Sequence, residues 1–118
     1  MTPFRGQVPA SPAVVDTFVL GPHRYAISFV EKLSKKKRVG EANLVTNTVS
    51  LRDDQSASQL RSTMIHEVLH HACWNGAARH AEGWTDELEE AFICAVEGAI
   101  LELFTRPENA DLRGWIQS

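Results

Sequence analysis

The sequence is short of cysteine, of net charge and of long apolar runs, and each shortage argues against a class of protein. It has only two cysteines, Cys73 and Cys94. They are too few for a disulfide framework and do not form a C-x-x-C pair, so we expect buried free thiols in a reducing compartment. The net charge of -3 and a single basic run, Lys35-Lys36-Lys37-Arg38, give no strong signal for a nucleic-acid partner. We interpret that run as a solvated turn between two strands.

No stretch approaches the roughly 20 apolar residues that a membrane-spanning helix needs. The first residues do not show a charged segment followed by an apolar one, so we expect no secretion signal and a cytoplasmic protein. Residues 1–22 are predicted to be an irregular, Pro-rich lead. The chain has 118 residues, and residues 23–118 are expected to fold as a single domain.

The most informative feature is an H-E-x-x-H motif, which begins at His66 and ends at His70. On an α-helix, residues i and i+4 lie on one face, one turn apart. Both imidazoles can therefore reach one metal ion, and Glu67 can act as a base on water, as in zinc hydrolases. Apolar residues at helical spacing indicate that this helix has a buried side. They are Leu60, Met64, Ile65, Val68, Leu69 and Ala72.

Three extended segments precede the motif. Apolar residues alternate over residues 23–31, and residues 41–45 and 48–52 form two further short extended stretches. Their succession predicts a small antiparallel three-stranded sheet. The predicted fold class is α+β, with this sheet packed on two main helices.

The two helices carry their own start signals. A capping box at Ser56–Gln59 begins a helix that runs to about Trp74. Thr85 or Asp86 caps a second helix, over residues 87–104.

The third metal ligand has to come from outside the motif, because catalytic zinc usually takes three protein ligands and keeps a fourth position for water. A metzincin would need a Gly and a His where Cys73 and Gly76 stand, so that class is excluded. On a helical wheel, Glu89 lies in the middle of the apolar arc that contains Ile93, and Glu90 lies at its edge. A buried carboxylate is costly unless it is paired or bound to a metal. We therefore predict Glu89 as the third ligand, with Glu90 as the second choice.

Four other polar residues are candidates for a role at the site. His71 projects about 100° away from His70 and is not expected to bind the metal. His80 and Tyr25 could each stabilise an oxyanion, but we interpret His80 as a surface loop residue and Tyr25 as part of the core. Glu97 is expected to be solvated or to support a ligand.

The order of these segments resembles the small phage-encoded metallopeptidases related to the ImmA/IrrE-like group, which are minimal zincins of the gluzincin type. The resemblance covers residues 23–106. It rests on four segments, residues 40–44, 48–51, 63–70 and 89–93 with the following helix. It implies a zincin-like metallopeptidase domain with zinc held between the two helices, the base at Glu67, and ligands at His66, His70 and either Glu89 or Glu90.

Two functions follow as hypotheses. The first is a zinc-dependent metallopeptidase, an amide-bond hydrolase in which Glu67 is the general base and a protein or peptide is the substrate. Such a substrate could pair with a sheet edge at residues 41–45 or 48–52. The alternative is a non-catalytic zinc-binding structural or interaction module, closed by a fourth ligand such as His80 or Cys73. A phage origin would place either protein in the cytoplasm of a bacterial host.

Overall fold

A computed structural model describes residues 15–35, 37–76 and 78–118. Most of the predicted irregular lead, residues 1–14, lies outside the described residues, as does Lys36 of the basic run. The elements are β1 (Thr17–Leu20), β2 (His23–Val30), β3 (Gly40–Asn43), β4 (Thr48–Arg52), α1 (Ala57–Asn75), α2 (Asp86–Thr105) and α3 (Ala110–Ile116). Short 3-10 helices lie at Ala78–His80 and Pro107–Asn109. The α+β class is confirmed, with one strand and one short helix more than predicted.

The sheet is mixed, and its strand order is β1-β2-β4-β3. β1 and β2 pair antiparallel, β3 and β4 pair antiparallel, but β2 and β4 pair parallel. The prediction of a three-stranded antiparallel sheet is wrong in the number of strands and in the direction of the β2–β4 pair, whereas the antiparallel pairing of β3 with β4 is confirmed. The order follows from side chains, because β4 carries the fully buried Val49 and Leu51 and therefore takes an inner position. β3 has no large apolar residue and forms an edge.

β1 lies within residues 1–22, which were predicted to be irregular, and that prediction is wrong for Thr17–Leu20. The strand is held by a tight reversal at Gly21 and Pro22, where Gly21 has a φ of +57°, a conformation that glycine adopts without strain. The ring of Phe18 then stacks on Tyr25, with ring centroids 4.7 Å apart. This contact buries apolar surface that a lone extended segment would expose.

The helix boundaries agree with the predicted caps. The backbone N–H of Gln59 donates to Oγ of Ser56 at 3.2 Å, and the N–H of Ser56 donates to Oε1 of Gln59 at 3.0 Å. These two bonds form the capping box that starts α1. Thr85 caps α2 by accepting from the N–H of Leu88 at 3.1 Å. None of the helices in the described ranges combines the length and hydropathy that crossing a bilayer requires.

One buried histidine determines which way α1 faces. His71 is fully buried, and its Nε2 donates to the carbonyl oxygen of Thr48 in β4 at 2.8 Å. Its ring packs on Tyr25, with centroids 4.6 Å apart. Burial lowers the pKa of His71. Because His71 points to the sheet, the face with His66 and His70 is turned toward α2.

Candidate metal centre

The two motif histidines converge on one carboxylate of α2. Their rings are 5.0 Å apart, as expected for residues one turn apart. Nε2 of His66 lies 2.9 Å from Oε1 of Glu90, and Nε2 of His70 lies 2.9 Å from Oε2 of the same residue. The ligand atoms of His66, His70 and Glu90 all lie within 4.8 Å of one another, so these residues could hold a metal ion.

The other nitrogen of each imidazole is held by a second carboxylate of α2. Nδ1 of His66 donates to Oε2 of Glu97 at 2.6 Å, and Nδ1 of His70 donates to Oε2 of Glu89 at 2.8 Å. Burial lowers the pKa of His66, but the bond to Glu97 and the charge of Glu90 raise it, and the net direction is upward. A carboxylate on Nδ1 fixes the ring and leaves Nε2 for a metal.

This geometry separates Glu89 from Glu90. The side chain of Glu89 is only 14% exposed, against 51% for Glu90, so the wheel identified the more buried carboxylate. The buried carboxylate of Glu89, however, contacts Nδ1 of His70 and not Nε2. The indole N–H of Trp84 also donates to this carboxylate, at 3.1 Å. Glu89 is absent from the group that converges on both Nε2 atoms. The structure therefore favours Glu90, the second choice, for the third ligand position.

Glu67 stands beside this group and is 7% exposed. Burial raises the pKa of its carboxyl group, and the charges of His66 and His70 oppose that rise only in part. Arg38 contributes a further lowering of the same pKa. Glu67 is thus a buried carboxylate with an elevated pKa next to three metal-ligand candidates.

Glu67 also lines two clefts that open on either side of the site. The cleft on the His66 side has a volume of about 210 Å³ and includes Gly40 and Glu97. The cleft on the His70 side has a volume of about 340 Å³ and includes Arg38 and Glu90. Residues of the edge strand β3 line both clefts, so a ligand that follows this edge passes Glu67.

The remaining candidates, Tyr25, His80 and Cys73, are not part of this group. Tyr25 is fully buried, and its hydroxyl accepts from the side-chain amide of Asn75, so it belongs to the core as predicted. His80 is exposed in a 3-10 helix. Cys73 is buried, which raises the pKa of its thiol. Among the described residues, neither His80 nor Cys73 belongs to a group that could hold a metal.

Cys94 was predicted to be buried, and that prediction is wrong. Ile93 is the fully buried residue of α2, and Cys94 follows it about 100° further round the helix, where it is exposed. Its Sγ lies 3.8 Å from Oε1 of Glu90. With His66 and Glu97 it forms a second group of possible ligands.

Gly40 allows β3 to approach α1 beside Glu67. A Cβ at Gly40 would lie 2.5 Å from Cγ2 of Thr63 and 3.0 Å from Oε2 of Glu67. The segment before Gly40 is tied down, because the side-chain amide of Gln55 donates to the carbonyl of Val39 at 2.9 Å. The strand therefore cannot move away freely.

We expect Gly40→Ala to destabilise the protein by about 1–3 kcal/mol, the usual cost of overpacking. The free energy of unfolding from urea titration measures this loss. Thr63→Ser removes Cγ2 but retains the hydroxyl, which donates to Oε1 of Gln55 at 2.7 Å. The double variant should therefore recover most of the lost stability. Equal stability of Gly40→Ala and the parent protein would contradict the close approach.

The chain matches no protein-family model, no curated protein and no solved structure. The resemblance to the ImmA/IrrE-like group therefore stays a prediction that rests on the motif segments.

Proposed function

We propose that this chain is a zinc-dependent metallopeptidase, a hydrolase of amide bonds. One observation carries the proposal: Nε2 of His66 and of His70 converge on Glu90, with the buried Glu67 beside them in both clefts. A phage origin and a location in the host cytoplasm remain predictions from the sequence.

The donor set supports zinc as the metal. Two imidazole nitrogens and one carboxylate oxygen are a common set for catalytic zinc, which keeps a further position open. Hard cations such as Mg²⁺ and Ca²⁺ prefer oxygen ligands. The carboxylates of Glu97 and Glu89 on the two Nδ1 atoms add the support that metal-binding histidines usually have. His66, His70 and Glu90 would hold the ion.

Zinc bound there supplies a Lewis acid that polarises a carbonyl group and lowers the pKa of water. Glu67 accepts a proton from the attacking water on a carboxylate oxygen. It then delivers that proton to the nitrogen of the leaving amine. Its raised pKa suits both steps, because a base whose pKa lies closer to the working pH is also a better acid afterwards.

A peptide is the substrate class that the surroundings favour. Among the described strands, β3 pairs only with β4 and so forms an edge of the sheet. An extended peptide can add to such an edge through backbone hydrogen bonds. β4 is paired on both sides, so residues 48–52 cannot accept a peptide, and the edge expected at residues 41–45 is the one that is available. The clefts on either side of Glu67 would then receive side chains from both sides of the scissile bond.

The alternative function is a structural or interaction module, and it requires a fourth protein ligand. Among the described residues, His80 and Cys73 belong to no group that could hold a metal, which supports an open position and hence the enzyme. Cys94 belongs to a different group, with His66 and Glu97, which does not include His70 or Glu90.

Metal removal tests the proposal. We expect protein stripped by a chelator to lose turnover of a fluorogenic peptide mixture and to regain it with one equivalent of zinc. His66→Ala should bind no stoichiometric zinc and should not be rescued, because one of the three ligands is lost. Turnover that is indifferent to the chelator would contradict the proposal, and so would zinc-loaded protein without turnover.

A further inference from the structure

The cleft on the His70 side contains a guanidinium. Arg38 is the only Lys or Arg among the described residues that line this cavity of about 340 Å³. It shares the cavity with Glu67, His70 and Glu90, the groups to which the proposed function assigns the chemistry. The cleft on the His66 side has no Lys or Arg among the described residues of its lining. Among the described residues, a guanidinium is therefore present on one side of the site and absent from the other.

The backbone of Arg38 is anchored, and its side chain is free to bind. Its N–H donates to the carbonyl of Lys35 at 3.1 Å, and its carbonyl accepts from Nη1 of Arg52 at 3.1 Å. The residue lies two positions before Gly40, where the edge strand begins. Within the described part of the chain, its guanidinium forms no hydrogen bond or ion pair, and the residue is exposed.

Four carboxylates line the same cleft, those of Glu67, Asp86, Glu89 and Glu90, and two of them are held by other groups. Glu89 accepts from Nδ1 of His70 and from the indole of Trp84. Glu90 contacts both Nε2 atoms. Arg38 thus faces the cleft without an acidic partner in contact, although several acidic groups line the same cavity. A guanidinium presents a planar fork of donors, which binds carboxylates in a bidentate manner.

We propose that Arg38 binds a carboxylate of the substrate, and so makes the site selective for acidic peptides on the His70 side of Glu67. This inference rests on the proposed peptidase function. The carboxylate belongs to an Asp or Glu side chain, or to the C-terminus of the peptide. Arg38 is a specificity-determining residue here, since the bond-breaking chemistry is left to Glu67 and the metal ligands.

The inference is tested by peptide binding to zinc-loaded Glu67→Gln protein, in which bound peptides are not cleaved. The probes are labelled alanine hexapeptides that carry one Gln at successive positions and an amidated C-terminus. A second set replaces that Gln by Glu, and a third retains Gln but has a free C-terminal carboxylate. The second and third sets distinguish a side-chain carboxylate from a terminal one.

We expect at least one acidic peptide to bind about tenfold more tightly than its neutral counterpart, the lower range for a charge-assisted pair. Arg38→Gln should remove that preference. Lys37→Gln removes one charge from the same exposed run without touching the cleft, and it should retain the preference within about twofold, as expected for a solvent-exposed charge.

Equal binding of acidic and neutral peptides overturns the inference, as does a preference that survives in Arg38→Gln or an absence of any binding. Turnover by protein with an intact Glu67 is measured separately on the same peptides. Selectivity that depends on Arg38, without any turnover, would contradict the peptidase function while retaining Arg38 as a carboxylate-binding residue.

Discussion

Glu67→Gln is expected to reduce kcat/KM by about 10²–10⁴-fold, the contribution typical of a positioned acid–base group. The amide of Gln has nearly the shape of the carboxylate but cannot accept the proton of water. Zinc stoichiometry should stay at one, because Glu67 is not among the three converging ligands. The fold should also be retained, since burial already disfavours the charged form of this side chain.

A matched control is Glu87→Gln. Glu87 lies in the first turn of α2, is exposed and lines neither cleft. Steady-state kinetics with a fluorogenic peptide, together with zinc content, should show parent-like values for this variant. Unchanged turnover in Glu67→Gln would remove the general base from the mechanism, and loss of zinc in that variant would make Glu67 a ligand.

Glu90→Gln is expected to weaken zinc binding far more than Glu89→Gln. Glu90 is the carboxylate that approaches both Nε2 atoms, so its replacement removes a ligand charge. Glu89 holds only Nδ1 of His70, and replacement of such an outer partner typically costs about 10–100-fold in metal affinity. The loss in Glu90→Gln should exceed that range.

Competition with a chromophoric zinc chelator at fixed pH measures the affinities of both variants. Glu97→Gln is the internal control, because Glu97 holds Nδ1 of His66 in the way that Glu89 holds Nδ1 of His70. The zinc affinity of Glu97→Gln should therefore be close to that of Glu89→Gln. If Glu89→Gln bound zinc more weakly than Glu90→Gln, Glu89 would be the third ligand, as the helical wheel predicts.

The local parts of the fold could be predicted from the sequence because their causes are local. Ser56 and Thr85 cap their helices through bonds to residues three positions later. The spacing of His66 and His70 alone puts their rings on one face. The alternation in β2 likewise predicted Tyr25 as core, and it is fully buried.

The missed features depend on contacts between distant segments. β1 is stabilised by stacking of Phe18 on Tyr25, and the parallel pairing of β2 with β4 depends on which strand takes the inner position. A helical wheel for α2 alone predicts which of its residues are buried. Which carboxylate, Glu89 or Glu90, meets the two Nε2 atoms depends instead on how α2 crosses α1. One signal was available: Glu90 and Glu97 are seven residues apart, so they form a stripe of two turns that can face the two histidines.

X-ray absorption spectroscopy of the zinc-loaded protein identifies the atoms that bind the metal. We expect two imidazole nitrogens at about 2.0–2.1 Å, with oxygen ligands completing the shell and no sulfur at about 2.3 Å. His66, His70 and Glu90 are the residues that supply these atoms. A sulfur contribution, which Cys94 would provide, or a spectrum without imidazole would contradict this expectation.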